Sequence, residues 1–287
     1  MDRLISWLSE RKLFTVIVAC AYLTIVILFH KEVSEISDWL SAKFSFRVYN
    51  NLIFWISLMM LVVFEGFLLI RIIQGEQRFL KIIYWMFTTF LVVISYQTLI
   101  VFNVEIIHFP QYAVLALPVF ALFRNFGETV FWVTLSGALD EALQYFILHP
   151  ETSFDFNDII LNLIGAGIGV VLIYILWAPK SESLTLHEYR SRKLNKYLIF
   201  AITASILLGG ISLYAAGILR FSPDAKAPTA LIVLSSQPPP TQFWTFLTRG
   251  KPYHQLHPIV GIFFSAVLIG CYSLMDYVLK KRFTGTR

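Results

Sequence analysis

The chain has 287 residues, of which 57% are apolar and 14% charged, with a mean hydropathy of +0.69. Soluble domains carry about 25% charged residues, so this composition excludes a soluble globular protein and predicts a polytopic membrane protein. The net charge of +5 is spread over separate loops, which makes it a signal of membrane orientation and argues against nucleic-acid binding.

A helix needs about 20 predominantly apolar residues to cross the hydrocarbon core. Eight segments meet that length, at roughly 13–29, 52–73, 80–102, 106–123, 128–148, 159–177, 197–219 and 258–279. The first starts directly behind Lys12 and lacks a small-residue cleavage site, so it is expected to stay as an anchor. Between spans one and two, Val33, Ile36, Leu40 and Phe44 form one helical stripe, with Glu32, Glu35, Asp38 and Lys43 elsewhere. That pattern suits an in-plane interfacial helix or an ordinary amphipathic connector. Residues 220–257 carry six prolines, which argues for an extended loop lying on the bundle, with 230–234 a short strand or a membrane-surface patch. Cys20 and Cys271 both sit inside apolar runs, so no disulfide framework is expected. No internal repeat is visible.

The basic residues orient the spans. Sixteen Lys and Arg fall before span one, between spans two and three, four and five, six and seven, and after span eight; the other seven fall on the opposite side. The positive-inside rule then places both termini in the cytoplasm. The expected fold is all-α, a transmembrane helical bundle of about eight spans. Its parts are an anchor with an interfacial helix (1–50), a central transmembrane region (51–178) and a two-span extension with a proline-rich outer loop (179–287).

Residues 135–169 place acids where lipid-facing helices should be apolar. An ionised group at bilayer depth costs at least about 2.5 to 3.5 kcal/mol, so such residues face a protein interior or a wet cavity and mark functional sites. Orientation gathers them. Span five runs outward, which puts Glu141 about 12 Å below its end at 1.5 Å per residue, with Gln144 sharing its face. Span six starts outside with Asp158 at its mouth and Asn162 one turn deeper. Span four brings His108 and Tyr112 to the same depth. These six residues, His108, Tyr112, Glu141, Gln144, Asp158 and Asn162, form the candidate site in the outer half of the bilayer. Glu141 leads it, either neutral or ionised and paired with His108.

The same residues have structural readings. Asp158 is a natural N-cap for span six, and Gln144 and Asn162 can serve as interhelical hydrogen-bond glue. Gly165 and Gly169, a small-xxx-small pair, predict close helix packing. Asp140 points about 100° from Glu141 on a 3.6-residue helix and finds no place in the site; Asp155 is likewise unassigned. Glu65 and Asp276 are further carboxylates inside apolar spans. The spacings of zinc sites, of a G-x-S-x-G elbow and of phosphate-binding loops are absent, so no metal or cofactor is expected; a serine nucleophile at Ser136 working with His108 has no spacing to support it.

In order and spacing, the motifs His108-Phe-Pro-Gln-Tyr112, Glu141-Ala-Leu-Gln144 and Asp158-Ile-Ile-Leu-Asn162-Leu-Ile-Gly165-Ala-Gly-Ile-Gly169 resemble the VanZ-like family of bacterial membrane proteins, over roughly residues 51–178. The chain departs from that pattern at Thr152, where the family usually carries an Arg six residues before the Asp. The resemblance implies an outward polar site in a bacterial cytoplasmic membrane. Such a site would engage membrane lipids and a lipid-linked cell-envelope precursor or a lipophilic glycopeptide; the family's founding member is linked to teicoplanin resistance. The alternatives are an intramembrane enzyme acting on lipid headgroups or polyprenyl-linked sugars, with Glu141 as general acid or base, and a transporter.

Overall fold

A computed structural model of the chain describes residues 2–144, 155–176, 219–222, 232–235, 243–247 and 250–284. In chain order these form α1 (Asp2–Glu10), α2 (Lys12–Phe44), α3 (Phe46–Gln74), α4 (Arg78–Thr98), a short 3-10 turn (Asn103–Ile107), α5 (His108–Phe123), α6 (Phe126–Leu143), α7 (Phe156–Leu176), strands β1 (Leu219–Ser222) and β2 (Ile232–Ser235), and α8 (Pro258–Thr284). Six helices are long and apolar enough to cross a membrane, which makes this a multi-pass membrane protein. The helix at the expected fifth span, α6, carries Glu128, Asp140 and Glu141 and is shielded by α5, α7 and α8. The expected seventh span lies outside the described residues, apart from its last residue, Leu219, which opens β1.

The interfacial helix expected after span one is not separate: α2 runs unbroken through Lys12–Phe44. Its 33 residues span about 50 Å at 1.5 Å per residue, beyond the roughly 40–45 Å of a bilayer with its headgroups. The apolar stripe from Val33 to Phe44 therefore extends the membrane-crossing helix. The chain reverses at Ser45, whose φ of 63° places an L-residue in the left-handed region and starts α3 immediately. Arg124, at φ 51°, makes the matching tight reversal between α5 and α6. There the Asn125 side chain caps α6 by accepting from the Glu128 N–H at 3.0 Å.

Strands β1 and β2, at and within the proline-rich segment, pair in parallel with Leu219 opposite Ile232.

The centre of the bundle is α7, buried along nearly its whole length and most extensively packed on α5 and then on α6. Three glycines set these distances. A Cβ on Gly165 would stand 2.8 Å from the Phe109 carbonyl oxygen, and one on Gly169 would stand 2.6 Å from that of Ala113; both are backbone atoms of α5 and cannot yield. Gly167, on another face, receives the Tyr272 hydroxyl of α8, which a Cβ would meet at 2.0 Å. One apolar core runs from Ile5 of α1 through α3 to α7 and on to Leu268, Tyr272, Met275 and Leu279 of α8.

Polar clasps hold the two ends of the bundle. At one end Lys81 Nζ donates to the Ile175 carbonyl at 3.2 Å, Tyr84 to the Met275 carbonyl at 2.7 Å and Tyr174 to Gln77 at 2.6 Å. Asp276 joins them, accepting from Asn125 Nδ2 at 2.9 Å and pairing with Lys280. At the other end Asn157 Nδ2 donates to the carbonyls of Leu99 and His254, both at 3.0 Å, and its Oδ1 accepts from the Leu256 N–H at 2.9 Å. Glu65, within α3, accepts from Trp85 Nε1 and from Thr89, so that carboxyl is tied to α4.

Replacing Gly169 by Val should lower the melting temperature in detergent. Overpacking against a backbone atom costs about 1–3 kcal/mol. Gly270→Ala, at a position where a Cβ meets nothing within 4 Å, should leave it unchanged. Equal behaviour of the two variants would refute the close approach of α5 and α7.

Candidate functional site

Three helices and a fourth flank present the polar residues at one level. On α5, His108 and Tyr112 are one turn apart. On α6, Gly137, Asp140, Glu141 and Gln144 follow the i, i+3, i+4, i+7 spacing of a single broad face, and on α7 Asp158 and Asn162 are again one turn apart. The antiparallel register of α6 and α7 is fixed by Gly137, where a Cβ would lie 2.8 Å from Asn162 Nδ2 and 2.9 Å from Asn162 Cβ. One turn along α6 from Gly137 is Glu141; one turn back along α7 from Asn162 is Asp158. The two carboxyls therefore share the seam.

All six predicted residues lie in this region, with partners that differ from the sequence expectation. His108, buried, has Nδ1 2.9 Å from Asn162 Oδ1 and Nε2 3.6 Å from Asp158 Oδ1. Its pairing with Glu141 does not occur: Glu141 is 5% exposed and its Oε1 has no hydrogen-bond partner among the described residues. Asn162 is fully buried, and its Nδ2 is also without one.

Asp140, left without a role by the sequence, is the hub. It is fully buried, and it accepts from Tyr112 Oη at 2.8 Å through Oδ2 and from Gln144 Nε2 at 2.9 Å through Oδ1. The 100° between neighbouring residues turns Asp140 to α5 while Glu141 faces the α7 seam. Gln144 thus serves Asp140 at i+4, and its Nε2 also lies 3.4 Å from His30 Nδ1 on α2. The His30 and His108 rings are 6.2 Å apart. Two signals would have found these residues: the i, i+4 spacing of Asp140 and Gln144, and the position of His30 eighteen residues along α2, counted from Lys12.

Asp158 is not the N-cap of α7. Asp155 takes that place, accepting the Asn157 N–H at 2.7 Å, which frees the Asp158 carboxyl to face His108. Burial, and then the neighbouring Asp158 charge, push the Asp155 carboxyl up to about 7. His149 and Thr152 lie outside the described residues.

Among the described residues no group of three or more His, Cys, Asp or Glu side chains is placed to hold a metal ion. Ser136, the conceivable nucleophile, donates to the Trp132 carbonyl at 2.9 Å and takes no part in the network. What the arrangement can do is accept and donate hydrogen bonds at a buried seam and hold a proton. A carboxyl facing an imidazole nitrogen is favourable when one of the two carries a proton, so the His108–Asp158 contact is a proton-holding pair. Its open side is toward the partly buried Asp158, Gln144 and His30.

No protein-family model, curated protein or solved structure matches this chain.

Two outcomes check this geometry. A double-mutant cycle on Tyr112→Phe and Asp140→Asn should give a coupling of about 1 kcal/mol in detergent unfolding, the size measured for interhelical hydrogen bonds in membranes; additive losses would mean that the bond is absent. The second outcome concerns pH. Because the folded-state value of Asp155 is raised from 3.8 to about 7, the folded protein holds the extra proton in that window, and stability falls as pH rises through it. Asp155→Asn keeps the cap and removes the charge, so it should match the parent near pH 4 and be the more stable of the two at pH 8. A variant no more stable at pH 8 would contradict the raised value.

Proposed function

We propose that the chain is a VanZ-like integral membrane protein of the bacterial cytoplasmic membrane, with eight spans and both termini in the cytoplasm. In this reading the seam between α5, α6 and α7 binds a lipid-linked cell-envelope component or an amphiphilic antibiotic from the outer leaflet, contributing to envelope function or glycopeptide resistance. The observation that carries it is the buried network centred on Asp140 and His108 beside two unsatisfied polar atoms, Glu141 Oε1 and Asn162 Nδ2. A buried polar atom left without a partner costs about 1–3 kcal/mol. Two of them on facing helices make sense where a third molecule supplies the missing bonds. The orientation is supported by the end of the bundle that gathers Arg124, Lys81 and Lys280, opposite the acidic end at Asp155 and Asp158.

A second reading is an intramembrane enzyme acting on a headgroup, with the same unpartnered Glu141 oxygen positioned as a general base. Transport draws less support, because the network is confined to one end of α7 and no inverted repeat is visible.

Purification in mild detergent followed by lipid mass spectrometry tests the binding reading. One envelope lipid or glycolipid should be enriched at least tenfold over the bulk extract, and the enrichment should vanish in His108→Ala. A lipid profile identical to bulk, or unchanged by the substitution, would overturn it. In the enzymatic reading a headgroup-cleaved or headgroup-modified product would accumulate with the parent protein and not with Glu141→Gln.

A further inference from the structure

The chemistry of the seam also selects among ligands, an inference that rests on the binding reading above. Three carboxyl groups, Asp140, Glu141 and Asp158, occupy one buried region, and Glu141 is within electrostatic reach of the other two and of Asp155. None of the described hydrogen bonds or ion pairs of the network involves a Lys or Arg. Lys251, a cation at the same end of the bundle, is engaged elsewhere: its Nζ donates to the Tyr96 carbonyl and lies 3.3 Å from the centroid of the Tyr96 ring. A phosphate placed here would set its oxygens against carboxyl oxygens, with no guanidinium or ammonium among the described residues of the network to receive it, and any ionised carboxyl would repel it in a low dielectric.

The two unsatisfied atoms state the complement. Glu141 Oε1, on a residue 5% exposed, is an acceptor without a donor; Asn162 Nδ2, on a residue fully buried, is a donor without an acceptor. The Gly137–Asn162 contact sets the register that turns both toward the same α6–α7 seam, one turn apart, a rise of about 5.4 Å. Oε1 accepts when the acid is ionised, and it still accepts when a proton sits on the other oxygen. The Asp140 carboxyl already accepts from Tyr112 and Gln144 and so offers a ligand no free donor behind it.

We infer that this seam takes an amine-bearing ligand, with an ammonium N–H donating to Glu141 and a neighbouring hydroxyl or carbonyl oxygen accepting from Asn162, and that it rejects anionic phosphate headgroups. Amino sugars and the amine-and-hydroxyl groups of amphiphilic antibiotics share this donor–acceptor pair; an ethanolamine headgroup supplies the ammonium alone.

The test uses the full chain in phosphatidylcholine nanodiscs, with binding read by calorimetry against empty discs and three single-chain probes: dodecylammonium, its N-acetyl derivative and dodecyl phosphate. Dodecylammonium should bind saturably, at least tenfold tighter than the N-acetyl compound, with dodecyl phosphate the weakest. Glu141→Gln should reduce the tenfold preference to near unity; the comparison of probes on the unaltered protein stands even if that variant fails to fold. Glucosamine added in solution separates the sources. Competition with dodecylammonium assigns the amine to a soluble molecule or an exposed sugar, and displacement only by phosphatidylethanolamine incorporated in the disc assigns it to a lipid headgroup. Saturable, His108-dependent binding of dodecyl phosphate at equal or higher affinity would overturn the inference and leave the binding site standing. No saturable binding of any probe would overturn both.

Discussion

The way His108 meets Asn162 and Asp158 depends on how closely α7 approaches its neighbours. Gly165 and Gly169 bring its backbone against α5, and Gly137 lets Asn162 of α7 lie on α6. At ordinary interhelical separations, the short side chains of Asp158 and Asn162 would not reach His108. With the helices drawn together, Asn162 and Asp158 flank both nitrogens of one imidazole. In a lipid environment there is little hydrophobic force between helices, so close backbone packing and the hydrogen bonds it permits carry association. The glycines and the polar residues are therefore one device.

That device makes a buried carboxyl tolerable. Asp140 is withdrawn from solvent and accepts donors from two directions, a tyrosine on α5 and a glutamine one turn along its own helix. An interhelical bond such as Tyr112–Asp140 is worth only about 0.6 kcal/mol on average in membranes, so the network is a poor explanation for the stability of the bundle. Its expense is better understood through what it leaves open. Satisfied at Asp140 and unsatisfied at Glu141 and Asn162, it is rigid on one side and receptive on the other, as a preorganised site requires.

The sequence made the helices legible because hydropathy over about 20 residues is a strong signal; seven of the eight expected spans have a described helix at their place. The in-plane helix after span one was misread because an amphipathic stripe looks the same on a membrane surface as on the projecting end of a long helix, and only the absence of a break before Ser45 separates them. Six residues of the network were readable from their expected depth, which brought together residues far apart in the chain, while Asp140 and His30 were not. Its wiring was not. Adjacent acids on a helix diverge by 100°, and which of Asp140 and Glu141 faces α5 depends on a rotation that a pattern of spacings cannot supply. Asp158 was a reasonable cap until the helix was found to start three residues earlier, at Phe156, with Asp155 in that role.

The register of α6 against α7 is the claim on which the shared seam stands, and a disulfide tests it most directly. Cysteines at positions 137 and 162, in a background where Cys20 and Cys271 are replaced, bring two Cβ atoms closer than a disulfide needs: an ideal Cβ at 137 lies 2.9 Å from that of Asn162, against about 3.5–4.5 Å in bridged pairs, so a small separation of the two helices admits the bond. The pair should form an intramolecular disulfide rapidly in native membranes under mild oxidation, while cysteines at 139 and 162, with Leu139 half exposed, should not. Failure of the 137–162 pair to crosslink, or equal crosslinking by the 139–162 control, would contradict the register and with it the site.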